Sequence, residues 1–185
     1  MRTELIDRKP SATADTGVQE RVREALAREP HKMTSQLARE LNVAEVHVIR
    51  ALPAEQVTEL DASQWQDLVR QFERFGKTHV VVNSAGATLE CHGEFGKFSN
   101  WGGYLNVQTP SLDMHIREEA VAAVFAVTKP SHMDGVKVLS FQFYDRQGAS
   151  VFKVFLSFGG KEVPAERRAM FEELRQAFAG GGVSE

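Results

Sequence analysis

Residues 92–117, HGEFGKFSNWGGYLNVQTPSLDMHIR, concentrate side chains that coordinate or stack. His92, Tyr104 and His115 each carry a donor able to bind a metal. Phe95, Phe98 and Trp101 offer ring faces, and Lys97 and Arg117 offer cations that suit carboxylates. Gly93, Gly96, Gly102 and Gly103 let the backbone pass close to a ligand. This chemistry suits a flat, largely apolar ligand. Each residue also has an ordinary reading. Tyr104 fits a strand with its hydroxyl on the backbone, and His92 fits a solvated strand end. His115 alternates with Met114 and Ile116 and so lies opposite them, in water or in a cleft. Cys91 reads as a small packed hydrophobe.

Other chemistry is poorly represented. His31, His47, His79 and His132 show no HxxxH or HExxH spacing, which speaks against a compact zinc site. No GxSxG, no P-loop and no GxGxxG after a strand is present. Asp134, Gly135 and Asp145 read as turn residues.

The elements that must position residues 92–117 follow from periodicity. Residues 1–17 mix charge, Ser, Thr, Ala and Pro without a period and read as a mobile tail. Val18, Val22 and Leu26 mark one helix face, stopped at Pro30. Leu37 and Leu41 mark a second helix, with Asn42 at the turn. Val43, Val46, Ile49 and Leu52 mark a third, and Pro53 closes this unit, residues 18–57. A longer helix is predicted over 62–75, opened by Asp61 and Gln64 as a capping box and carrying Trp65, Leu68, Val69 and Phe72 inward. The period then switches to two. About seven strands follow, THVVVN, ATLECH, YLNVQ, LDMHIR, AVFAVT, VLSFQFY and VFKVFLS, the last pair joined by a turn at Asp145–Gly148. Phe152, Val154, Leu156 and Phe158 point one way and Lys153 the other. A closing helix begins after Pro164 with the stripe Met170, Phe171, Leu174, Phe178 and ends at Gly180–Gly182.

Helices, then consecutive strands, then a helix predict an α+β fold: a large, mostly antiparallel sheet with helices on one side. The other side is then open to a ligand or a second subunit. Residues 58–185 form this sheet region, compact with the helical unit before it.

The chain has 185 residues, 42% hydrophobic and 25% charged, which is globular composition, and a net charge of −3. Bulk charge therefore does not favour a polyanion partner. One cysteine excludes an internal disulfide. The apolar run Val121–Val127 is too short to span a membrane, and the first residues lack the apolar stretch of a secretory signal. A soluble, intracellular protein is expected.

Residues 36–50, QLARELNVAEVHVIR, fit a helix-turn-helix in shape, with small Ala38 where the helices cross. Over 18–57 the basic and acidic residues balance, so the surplus cations that a duplex requires are missing. The third helix opens Ala44-Glu45, where a base-reading helix would carry Arg, Asn or Gln. The unit reads as structural, and nucleic acid is not the expected partner.

The chain resembles the intracellular haem-utilisation proteins of the ChuX/HutX type, a family related to each half of the larger HemS/ChuS-like haem-trafficking proteins. The resemblance spans nearly everything after the tail and rests on LARELNVAEVHVIRALP, GGYLNV, MHIREE and VLSFQFYDRQGASVFKVFLS, in that order. It implies a HemS/ChuX-like fold, with haem as the ligand. It also implies a cytoplasmic homodimer that hands haem on within bacterial iron acquisition, to a haem-accepting or haem-degrading protein. The helix-turn-helix-like start occurs in the family too. Tyr104 matches the family's tyrosine, and His115 with Arg117 its His-x-Arg/Lys strand. Some relatives carry histidine near positions that here are Asn83, Asn100 and Gly102. Tyr104 or His115 is then the iron ligand, Arg117 or Lys97 the propionate partner, and Phe98 and Trp101 are wall residues, with His92 also within the binding region. Two other functions stay open at this stage: a haem-degrading, oxygenase-like enzyme, and a haem- or iron-responsive DNA-binding protein.

Overall fold

The structure is a computed structural model and describes residues 16–84, 86–130, 136–157 and 162–180. Phe158, His132, Asp134, Gly135 and most of the predicted tail lie outside the described residues; Thr16 and Gly17 begin the first helix.

The helical unit comprises α1 (Thr16–Arg28), α2 (Thr34–Leu41) and α3 (Glu45–Arg50). Val22, Leu26 and Leu37 are buried, as their spacing predicts. Asn42 ends α2 in the left-handed region, φ 53° and ψ 49°, which asparagine tolerates. Among the described residues, the sheet region holds α4 (Trp65–Gln71), flanked by 3₁₀ turns over Ala62–Gln64 and Phe72–Phe75, and α5 (Ala165–Ala177), together with nine strands. The strands are β1 (Val57–Leu60), β2 (Lys77–Asn83), β3 (Thr88–Glu94), β4 (Ser99–Trp101), β5 (Tyr104–Thr109), β6 (Leu112–Arg117), β7 (Ala123–Pro130), β8 (Lys137–Tyr144) and β9 (Ser150–Phe155).

The strands form two antiparallel sheets rather than one: six strands in the order β1-β7-β8-β9-β2-β3, and three in the order β4-β5-β6. Strands β1 and β4 are the two that periodicity misses. They have four and three residues, too few for an alternation to show.

The main core lies between the two sheets. Phe141, Phe143, Phe152 and Val154 face it from the large sheet, Leu105, Val107 and Ile116 from the small one, with Trp65, Leu68, Val69 and Phe72 of the α4 region and Phe171 and Leu174 of α5. The Phe72 ring stacks on Phe141 at 5.1 Å, and Phe143 on Phe152 at 4.1 Å. Asp61 caps as expected, accepting from the Ser63 N–H at 2.9 Å, but Gln64 Nε2 donates to the Asp61 carboxylate at 2.8 Å, and its Oε1 does not accept from the Asp61 backbone N–H. That N–H is already taken by the Phe178 carbonyl at 2.8 Å.

The far side of the large sheet is not wholly open. Ala123, Phe125, Val127 and Tyr144 share a second core with α1–α3, so β7 is buried on both faces. Lys153, on the side opposite Phe152 and Val154, is buried there and pairs with Glu45 at 2.5 Å. Thr34 donates to the same carboxylate oxygen at 2.6 Å. Beside it, the Tyr144 hydroxyl donates to Gln142 at 2.6 Å and Gln142 donates to Ser140 at 3.0 Å. Burial first, then the Glu45 charge, pushes the Tyr144 phenol well above its ordinary range.

The β8–β9 turn also seats the helical unit. The Val46 N–H donates to the Gly148 carbonyl at 3.2 Å. A Cβ on Gly148 would stand 2.4 Å from Val46 Cγ1 and 2.9 Å from the Ala44 Cβ, and the residue's φ is +78°. Gly148→Ala should therefore combine left-handed strain with a clash against the Val46 and Ala44 side chains and cost about 2–4 kcal/mol. Urea unfolding should show the midpoint falling with an unchanged slope; an unchanged midpoint would contradict this packing.

Candidate functional site

The chemistry collects on the outer face of the small sheet. Along β5, Leu105 and Val107 point into the core, so Tyr104, Asn106 and Gln108 point out. Along β6, Leu112 and Ile116 point in, and Asp113, His115 and Arg117 point out. The register pairs Tyr104 with Arg117, Asn106 with His115, Ser99 with Asn106 and Trp101 with Tyr104. Tyr104 and His115 are thus diagonal neighbours on one face. With Ser99, Trp101, Asn106 and Gln108 they line an open cavity of about 680 Å³, within the range of small-ligand sites.

Three devices place this face. Gly102 and Gly103, at φ +64° and +81°, make the two-residue β4–β5 turn, which requires positive φ at both positions. Asn100 turns to the opposite side, accepting from the Arg70 guanidinium and donating to Gln66 at 2.8 Å and Glu118 at 2.7 Å, which ties the hairpin to α4. Where β3 meets β6 the backbones come close: a Cβ on Gly93 would lie 2.8 Å from the Leu112 Cβ. The Thr109 hydroxyl donates to the Glu94 carbonyl at 2.9 Å there.

The His115 ring is held on both sides. Its Nδ1 lies 2.6 Å from Asn106 Oδ1, and its Nε2 lies 3.4 Å from Asp113 Oδ1. Tyr104 is half-buried, and its hydroxyl makes no hydrogen bond among the described residues. Trp101 is 83% exposed, a large ring standing in solvent beside the cavity.

Not every residue of the 92–117 segment joins this cavity. Phe98 packs toward the main core, with the Arg70 guanidinium 5.5 Å over its ring. Phe95 is buried against Phe72. Lys97 is exposed in the loop before β4, with φ 48°, and is not among the lining residues. His92 lies on the large sheet, its ring 5.0 Å from that of His79, which in turn contacts Glu90 at 2.9 Å. Cys91 packs against the core, and burial raises its thiol pKa. Asn106, Gln108, Ser99 and Asp113 complete the site without having been singled out by sequence. For Asn106 and Gln108 the signal was present in the alternation, since Tyr104, Asn106 and Gln108 alternate with Leu105 and Val107. Asn83 accepts from the Thr88 hydroxyl, Asn100 anchors α4, and Gly102 sits in the turn.

Among the described residues, no group of three or more His, Cys, Asp or Glu is arranged to hold a bare metal ion. No described helix is long and apolar enough to cross a membrane.

Comparison with known proteins gives consistent matches. The family model described as Haem utilisation ChuX/HutX matches residues 58–174. The intracellular heme transport protein HutX of Vibrio cholerae is 29% identical over 162 residues, covering 86% of this chain and 83% of that protein. The structure of the heme-binding protein ChuX superposes with a TM-score of 0.74 at 22% identity, over 84% of this chain and 97% of that one. Apo-PhuS, a heme-binding protein from Pseudomonas aeruginosa, matches with a TM-score of 0.72 at 21% identity, over 94% of this chain but 50% of its own.

Proposed function

The chain belongs to the ChuX/HutX haem-utilisation family, and from that premise we propose that it carries haem on the outer face of β4–β5–β6 within the cytoplasm. The observation that supports this most is the placement of Tyr104 and His115 on one face of an open cavity, beside the exposed ring of Trp101. Iron already held by its porphyrin nitrogens needs only one or two further donors, so a site without a metal-ion cluster suits it. A phenolate favours ferric iron, and an imidazole serves either oxidation state. Trp101 supplies a wall for the porphyrin plane, and Arg117, opposite Tyr104 in register, supplies a cation for a propionate. The openness of the cavity suits a carrier, which must give its cargo up to a haem-accepting or haem-degrading protein.

Titration with haem, followed by absorbance, tests this: a Soret band that shifts and saturates at one haem per chain is expected. Because Arg117 is exposed, Arg117→Ala should weaken binding only about two- to fivefold, and less at high salt. A variant with wild-type affinity at low salt would remove Arg117 from the rim.

Tyr104, His115, Trp101 and Arg117 are the residues proposed for the site. Lys97 stays a candidate for the second propionate, while Phe98 and His92 are directed elsewhere. A homodimer is also proposed. The chain spans half the length of apo-PhuS, and two copies would restore that length. The part of the large sheet's far face around His79, Val81 and Phe155 lies outside the second core, beyond α1–α3. A duplex partner is disfavoured by packing: Glu45, Val46, His47, Val48 and Ile49 of α3 are all buried, leaving no helix face to enter a groove.

A further inference from the structure

We propose that Asn106 is the positioning residue that decides which nitrogen of His115 is offered to the ligand; this rests on the haem reading above. Asn106 is 92% buried if its 8% exposure is taken from the whole, although its neighbours on the face are open to solvent. Its amide is engaged at both ends. Nδ2 donates to the Ser99 hydroxyl on β4 at 3.3 Å, and Oδ1 faces His115 Nδ1 at 2.6 Å. A carbonyl oxygen accepts and cannot donate, so the proton of a neutral His115 sits on Nδ1. The lone pair is then on Nε2, the nitrogen farther from the strand backbone. The rival contact, Nε2 with the exposed Asp113 carboxylate, is 3.4 Å long and favours the opposite tautomer only weakly. The shorter contact wins, and His115 is held ready to coordinate through Nε2. Asn106 lies on the central strand of the small sheet, and its amide sets an oxygen against His115 that valine would not supply.

The test begins without haem. Long-range ¹H–¹⁵N spectra of histidine-labelled protein, taken where the ring is neutral, report the tautomer of His115. The Nδ1–H form is expected in the wild type and in Asn106→Asp, which keeps an acceptor in place. Asn106→Leu should release the ring toward the Nε2–H form. With haem, Asn106→Leu should bind about tenfold to a hundredfold more weakly, the usual cost of losing the partner of a ligating histidine, and Asn106→Asp should restore binding. An Nε2–H tautomer in the wild type, or an unchanged tautomer in Asn106→Leu, overturns the proposal. If Asn106→Leu does not fold, the wild-type and Asn106→Asp spectra still decide. Expected tautomers with no haem binding by any form would uphold the role of Asn106 and overturn the haem reading instead.

Discussion

Replacing Tyr104 by Phe and His115 by Ala together should abolish specific haem binding, lowering affinity by at least about a hundredfold. The two side chains are the donors on the cavity face that match the needs of porphyrin iron, and both lie at outward positions of paired strands. Neither substitution removes a core contact: His115 is exposed, and the Tyr104 hydroxyl bonds to no described residue. The double variant should therefore fold as the wild type does. The single variants should divide by oxidation state. Tyr104→Phe should weaken the ferric complex more, and His115→Ala should weaken the ferrous complex more, because a phenolate stabilises ferric iron specifically. Absorbance titrations of the four proteins, oxidised and reduced, check this. Wild-type affinity in the double variant would remove both residues from the iron.

The largest stability effect is expected at Lys153. Its ammonium and the Glu45 carboxylate are 2.5 Å apart, with side-chain exposures of 7% and 9%. Lys153→Ala would leave the Glu45 charge buried among Thr34 and the polar chain that ends at Tyr144. Breaking a buried pair by removing one partner costs about 3–5 kcal/mol. Removing both charges with similar shape, as in Glu45→Gln with Lys153→Met, should cost much less, since the desolvation of both ions is relieved. A double-mutant cycle from urea unfolding therefore should show strong coupling, with the double variant more stable than Lys153→Ala. Additive losses would show that the ions do not sense one another. The pair fixes α3 to the large sheet, so Lys153→Ala should also expose the second core to dye binding before global unfolding.

Glu45 illustrates what the sequence could and could not convey. It marks α3 as a poor base-reading helix, but its partner lies 108 residues away, and no local pattern links the two. The alternation of Phe152 and Val154 against Lys153 does give the lysine's side of the strand; what covers that side depends on how the helical unit docks. Helices α1 and α5 and seven of the strands were legible because each has enough residues for its period to emerge, whereas the helix expected over 62–75 is α-helical only over Trp65–Gln71, with 3₁₀ turns at both ends. Strand β4, with three residues that are all exposed, carries no such pattern. Its pairing with β5 adds the third strand of the second sheet and brings Trp101 beside Tyr104. Of the proposed site, Tyr104, His115 and Trp101 line one cavity and Arg117 shares their face in register with Tyr104, because outward positions of adjacent strands fall on one side. Phe98 and His92 were grouped with them by proximity in sequence, yet a single residue of offset sends Phe98 to the core, and β3 belongs to the other sheet.

A structure of the haem-loaded protein tests the placement of the ligand most directly. The expected result has iron bonded to the Tyr104 oxygen or to His115 Nε2, the porphyrin against Trp101, and a propionate near Arg117. Haem seated instead in the second cavity, between α1 and the segment of Pro53 and Gln56, or on the far face of the large sheet, with the outer face of β4–β5–β6 bare, would contradict it.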